Sequence, residues 1–90
     1  MTTFVVTYDL IKRKDYPTLW EELKRLSAHR ALESFWLINV TNTAKELHDH
    51  LKGYVDTDDR LWVSELTKLH HFSNAKAGTN EWLKKNPPAR

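Results

Sequence analysis

An aspartate at the end of the first apolar segment, Asp9, is the residue of this chain best suited to do chemistry. It ends the run Phe4-Val5-Val6-Thr7-Tyr8-Asp9, and such a run predicts a central strand covered on both faces. An acid at the last position lies where the chain leaves the sheet. There its carboxylate can meet solvent, a metal ion or a partner subunit. The sequence leaves one alternative open, which is that Asp9 only accepts backbone hydrogen bonds at the strand end.

A basic triplet follows this strand directly. Lys12, Arg13 and Lys14 could bind phosphates beside Asp9, each as a salt-sensitive contact. A solvated loop is the alternative. The net charge is only +2, although the pI is about 9.0, and this charge by itself does not indicate nucleic-acid binding. The position of the triplet next to Asp9 is what favours a phosphate-binding role.

Other groups that could do chemistry have weaker patterns. Asp56, Asp58 and Asp59 resemble half of a calcium loop, but the glycine and the closing glutamate of such a loop are missing, so we predict a polar turn. None of the five histidines has a partner that its spacing predicts, and we expect none of them to be catalytic.

Composition bounds the class of protein. Ninety residues make one domain. The absence of cysteine excludes disulfides and thiolate metal sites and fits a cytoplasmic protein. No apolar stretch approaches the roughly 20 residues that span a bilayer, and the N-terminus lacks the charged region of a signal peptide. We therefore expect no membrane partner.

Tryptophan is frequent, with four in this short chain. One small core seldom hides so many, so some are expected at an interface. We predict that Trp36 and Trp62 lie at a dimer interface, because both flank apolar strand segments. A place in the core and stacking on the bases of a single-stranded nucleic acid are the alternatives.

The elements that position these residues follow from patterning. We predict four strands, over 3–9, 29–33, 35–40 and 60–66. A first helix is predicted over 15–27 and a second from a Thr43 cap to near Gly53. In the C-terminal part we predict a short edge strand near 69–72 and a terminal helical turn over 80–85 capped by Thr79. Thr43 and Glu46 form a capping box. Glu21–Arg25 and Lys45–Asp49 are spaced as surface ion pairs.

The order strand, helix, strand, strand, helix, strand predicts an α+β, ferredoxin-like βαββαβ fold. It forms one domain over 1–90, with a core over 1–67 and a C-terminal extension over 68–90. Both helices would cover one face of a four-stranded antiparallel sheet. The strands are apolar on both sides, so we expect a second copy of the chain to bury the other face.

Three segments resemble a known family: Val6-Thr7-Tyr8-Asp9-Leu10, Leu32-Glu33-Ser34-Phe35-Trp36-Leu37-Ile38 and Asp56-Thr57-Asp58-Asp59-Arg60-Leu61-Trp62-Val63. With the terminal Glu81-Trp82-Leu83-Lys84, they look like the Cas-two family of CRISPR-associated proteins. They are most similar to its SinR-like branch. Leu32, Leu37 and the pair Ala28-His29 depart from the CRISPR-linked members and move the chain toward that branch.

The resemblance implies a ferredoxin-like homodimer joined through the sheet faces. Some members hydrolyse RNA or DNA with a divalent metal, and the acid that ends the first strand, here Asp9, is the metal ligand. Because Mg²⁺ keeps most of its waters, two symmetry-related Asp9 carboxylates would suffice, with Mn²⁺ as a substitute. The alternatives are a non-catalytic dimer that binds nucleic acid or protein, and a metal-independent, toxin-like ribonuclease that acts through a histidine.

Overall fold

The computed structural model describes residues 1–11 and 16–90. These residues form a small α+β fold, as the sequence predicts. The elements are β1 (Thr2–Asp9), α1 (Tyr16–Arg25), β2 (His29–Leu32), β3 (Phe35–Val40), α2 (Ala44–Lys52), β4 (Arg60–Glu65) and α3 (Thr79–Lys85). The four strands predicted over 3–9, 29–33, 35–40 and 60–66 agree with these bounds to within one residue. The predicted N-cap of the first helix, Asp15, lies outside the described residues.

The four strands form one sheet in the order β2-β3-β1-β4. Every neighbouring pair is antiparallel, and this order is that of a ferredoxin-like βαββαβ fold. Strand β1 is central, and its last residue, Asp9, lies opposite Arg60, the first residue of β4. The topology therefore brings Asp9 and the start of β4 to one end of the sheet.

Helices α1 and α2 cover one face, which we call the helix face. Its core contains Phe4, Val6 and Tyr8 of β1, which alternate along the strand, together with leucines of both helices: Leu19, Leu23, Leu47 and Leu51. This is the apolar stripe that the helical spacing predicts. The Thr43–Glu46 capping box forms as expected, and Lys45 pairs with Asp49 at 2.7 Å.

The turn between β2 and β3 contains no glycine, and a side chain supports it instead. Glu33 and Ser34 form the turn. Both Nε and Nη2 of Arg30 donate hydrogen bonds to the Glu33 carbonyl oxygen, at 2.8 and 2.6 Å. The register shifts between Arg30 and Leu32, which indicates a bulge that brings Arg30 beneath the turn.

The other face of the sheet, which we call the second face, is partly covered by the chain's own C-terminal residues. Trp82 and Leu83 of α3 pack against Val5, Ala31 and Leu37. The Thr3 hydroxyl donates to the Asn86 carbonyl oxygen at 2.8 Å. In the structure, α3 therefore occupies part of the face that the sequence assigns to a second copy.

Two local predictions for the C-terminal extension are wrong. Residues 69–72 form no strand, because Leu69 N and His70 Nδ1 donate to Thr67 and bend the chain there. Thr79 does not cap the terminal helix but is its first residue. The N-cap is Gly78, at a φ of 92° that favours glycine, and the Thr79 hydroxyl donates to the Lys76 carbonyl oxygen at 2.7 Å.

Candidate nucleic-acid and metal site at the end of the sheet

Asp9 is accessible and makes one described ion pair. Its side chain is 70% exposed, and Arg60 Nη1 donates to its Oδ2 at 3.0 Å. A pair this exposed contributes little to stability, about 0–1 kcal/mol. The carboxylate can therefore exchange Arg60 for another cation at small cost. This described contact is to the Arg60 side chain. The alternative from sequence, in which Asp9 accepts backbone hydrogen bonds, stays a prediction.

Trp62 lies beside Asp9 on the second face and is 65% exposed. It is opposite Thr7 in the β1–β4 ladder, and alternation along the strand places it on the same face as Arg60 and Asp9. A shallow depression of about 220 Å³ is lined by Thr7, Tyr8, Asp9, Arg60, Leu61 and Trp62. An exposed indole next to a guanidinium and a carboxylate offers both a stacking surface and charge.

Trp36 differs from Trp62, although we predicted both at a dimer interface. Its side chain is in the helix-face core and the residue is only 3% exposed. Its Nε1 donates to the Tyr8 hydroxyl at 2.9 Å, and Trp20 Nε1 donates to the same oxygen. Trp36 is thus a core residue, the alternative that the sequence left open, and has almost no surface for a partner. Trp62 has a large one.

The acidic turn before β4 has the structural role that the sequence predicts. Asp59 Oδ1 accepts a hydrogen bond from Ile11 N, and its Oδ2 accepts one from Asp56 N, each at 2.8 Å. This carboxylate ties the residues after β1 to the start of β4. It thereby holds in place the two strand ends that carry Asp9 and Arg60.

The predicted phosphate contacts Lys12, Arg13 and Lys14 lie outside the described residues. Among the residues that the structure does describe, no three histidine, aspartate or glutamate side chains are grouped to hold a metal. One accessible carboxylate at Asp9 is the minimum for a Mg²⁺ site, which takes one or two carboxylates together with waters and substrate phosphates. A second carboxylate at this position would have to come from the Asp9 of another copy of the chain.

Sequence reasoning missed a cluster of charged residues between the two helices. Glu22 is 4% exposed in its side chain and accepts two hydrogen bonds from Arg25, each at 2.7 Å. It also accepts one from His50 Nε2. The Arg25 guanidinium, aided by His50 and opposed by burial, lowers the pKa of Glu22 to about 2. We predicted Glu21 as the partner of Arg25, but the adjacent Glu22 takes that place.

The His50 partner could not be read from spacing, because Glu22 and His50 are on different helices. A histidine held by a buried carboxylate is a recurring arrangement in acid–base sites. Here Arg25 already neutralises Glu22, so a structural ion network accounts for the geometry.

The fold and the site define a ferredoxin-like α+β protein with an accessible acid and an exposed tryptophan at one end of its sheet. No model of a known protein family matches this chain, and no solved structure matches it significantly. No helix in the described ranges is long and apolar enough to cross a bilayer.

Proposed function

We propose that this protein is a homodimeric, Cas-two-like nuclease that cleaves phosphodiester bonds of RNA or DNA with a divalent metal, and that Asp9 is the metal ligand. The observation that carries the proposal is the place of Asp9. Its carboxylate is 70% exposed at the end of the central strand, beside the 65% exposed Trp62. A cytoplasmic location belongs to the same proposal.

The chain's own residues have separate roles in this proposal. Asp9 of each copy supplies one carboxylate to a shared site. Arg60, released from Asp9, offsets charge on the scissile phosphate, and Trp62 stacks on a base next to it. A bound Mg²⁺ or Mn²⁺ supplies Lewis-acid stabilisation and an activated water.

The dimer must form where α3 leaves the second face free. The contacts of α3 are with Val5, Ala31 and Leu37, whereas Trp62 and Asp9 remain exposed. A two-fold contact at the Asp9 end of the sheet, with Trp62 at its rim, would bring two Asp9 residues together without displacing α3. Light scattering on the intact chain tests this first step, and a monomer would leave the site half built.

The deciding experiment compares Asp9→Ala with Asp58→Ala, which removes an exposed acid from the neighbouring turn. Both are assayed on single- and double-stranded RNA and DNA with Mg²⁺, Mn²⁺ or chelator. We expect Asp9→Ala to lose activity on the order of 10²-fold or more and Asp58→Ala to keep it. Equal activity in wild type and Asp9→Ala would sink the metal proposal.

A non-catalytic binding dimer is the second candidate, and the exposed Trp62 beside Arg60 favours it. An exposed indole next to a guanidinium suits binding without cleavage. Binding without cleavage in all three conditions would support this candidate. Cleavage that survives the chelator would instead support the metal-independent ribonuclease, with His50 as the first histidine to replace.

A further inference from the structure

We infer that the groove beside Trp20 and Arg30 holds one unpaired base of a single-stranded nucleic acid. The groove is about 400 Å³ in volume and is lined by Tyr16, Pro17, Trp20, Arg30, Glu33 and Ser34. This volume is within the range of small-ligand sites and accommodates one nucleobase with its sugar. The inference rests on the proposed function and adds a description of how the protein holds the nucleic acid.

Flat, polarisable groups form the floor of this groove. The Arg30 guanidinium lies 4.5 Å from the centroid of the Trp20 ring, and both side chains line the groove. The Tyr16 and Trp20 rings are 5.4 Å apart at an angle of 36°. Aromatic rings and guanidinium planes are the surfaces on which proteins stack unpaired bases.

The Arg30 side chain is already fixed before any ligand binds. Its two donors hold the Glu33 carbonyl oxygen, and Nη2 also lies 3.2 Å from the Glu33 carboxylate. Because the Arg30 side chain is held in this way, it loses little further conformational freedom when a base stacks on it. Ordering of Arg30 therefore reduces the binding free energy only slightly.

One hydrogen bond links the groove to the Asp9 site at the end of the sheet. The Thr7 hydroxyl donates to the Ser34 carbonyl oxygen at 2.8 Å. Thr7 lines the Asp9 depression on the second face, and Ser34 lines the groove on the helix face. A strand that passes Asp9 and Trp62 therefore has to turn around this end of the sheet, past the β2–β3 turn, to reach the groove. A duplex keeps its base faces stacked and cannot fill the groove, so the inference specifies an unpaired strand.

The test uses the intact chain and a fluorescein-labelled single-stranded oligonucleotide of about ten nucleotides, in chelator so that it is not cleaved. Each nucleotide is replaced in turn by an abasic site or by 2-aminopurine. We expect at least one abasic position to weaken binding roughly 5- to 150-fold, with 2-aminopurine quenched at that position. Trp20→Leu should abolish both effects, and Trp82→Leu, on the far side of the sheet, should change neither.

Trp20 also donates to Tyr8, so Trp20→Leu can unfold the chain. The abasic and 2-aminopurine series is then repeated with Trp62→Leu, because Trp62 is the other proposed stacking residue. A position that stays weakened and quenched in Trp62→Leu supports the groove, and the loss of every such position overturns it. Binding that is equal at every abasic position, with no quenching, overturns the groove but leaves the proposed function standing. The absence of binding to any oligonucleotide overturns the proposed function itself. If a folded Trp20→Leu protein quenches 2-aminopurine as strongly as the wild-type protein does, the base lies elsewhere and the groove is overturned.

Discussion

The helix face and the second face of the sheet differ in how they are closed. On the helix face, two amphipathic helices bury a continuous core around Val6 and Ile38, both 0% exposed. On the second face, one short helix covers the region around Val5 and Leu37, and the end that carries Asp9 and Trp62 remains open. The first arrangement secures the fold, and the second leaves a surface on which binding can occur.

The two faces also differ in the carboxylates that they carry. Glu22, between the helices, is buried and satisfied by Arg25 and His50. Asp9, at the open end, meets Arg60 in an exposed contact. A buried acid held by a guanidinium and an imidazole is difficult to replace, whereas an exposed acid whose described partner is weakly held can exchange that partner for a ligand.

The largest expected effect is on the helix face. Leu23→Ala should lower the free energy of unfolding by about 2–5 kcal/mol, because Leu23 is fully buried and the substitution leaves a cavity. The matched change Leu83→Ala on α3 should have a smaller effect, since Leu83 is only partly buried. Urea unfolding measures the free energy of unfolding of both variants. Equal losses would show that the second face is as essential to folding as the first.

Glu22→Ala should destabilise the chain by about 1–3 kcal/mol, because it removes the acceptor that joins Arg25 to His50 across the helices. Glu21→Ala, the exposed neighbour, is the control and should have almost no effect. Thermal unfolding of both variants distinguishes the observed partner from the predicted one.

The lowered pKa of Glu22 also predicts a pH dependence. A folded-state pKa of about 2, against an ordinary value of 4.5, means that the unfolded chain binds the proton more readily. The stabilisation is therefore present above pH 4.5 and is lost as the pH falls toward 2. Denaturant titrations of wild type and Glu22→Gln between these values should converge as the pH falls. Curves that stay parallel would contradict the assignment.

Gly78→Ala should lower the free energy of local unfolding of α3 by about 1–2 kcal/mol, because a φ of 92° is strained for alanine. Its added Cβ would also lie 3.4 Å from the His29 ring. Gly53→Ala is the matched control, since Gly53 is at a φ of −70° that alanine adopts freely. Hydrogen exchange in Thr79–Lys85 should rise in the first variant alone. Exchange that also rises across β1 would mean that the two faces unfold as one unit.

The smallest effect concerns His29, which connects α3 to the sheet. Its Nε2 is 2.9 Å from the Thr79 hydroxyl, and its ring stacks on Trp82. Burial lowers the pKa of His29, and Glu81 opposes this. Because the folded-state pKa is the lower one, stability falls as the pH drops below the ordinary value of 6.5. Hydrogen exchange in α3 should therefore be faster at pH 5.5 than at pH 7.5, with less difference in His29→Gln.

Local patterns were sufficient to predict most of the fold. The leucine stripes of α1 and α2, the Thr43–Glu46 cap and the apolar strands each depend on neighbours within a few residues, so they can be read from the sequence. The β2–β3 reversal was located without a glycine signal, but the Arg30 contact that supports it depends on how the strands pair.

The sequence by itself determined the order of elements, the sheet with two apolar faces, and the position of Asp9 at a strand end, because periodicity and chain order are local properties. Only the tertiary structure decided that α3 folds onto the second face, that Trp36 is buried while Trp62 is open, that Glu22 rather than Glu21 binds Arg25, and that Arg60 faces Asp9. Each of these features depends on contacts between segments that are distant in sequence, and the spacing of residues along the chain does not specify those contacts.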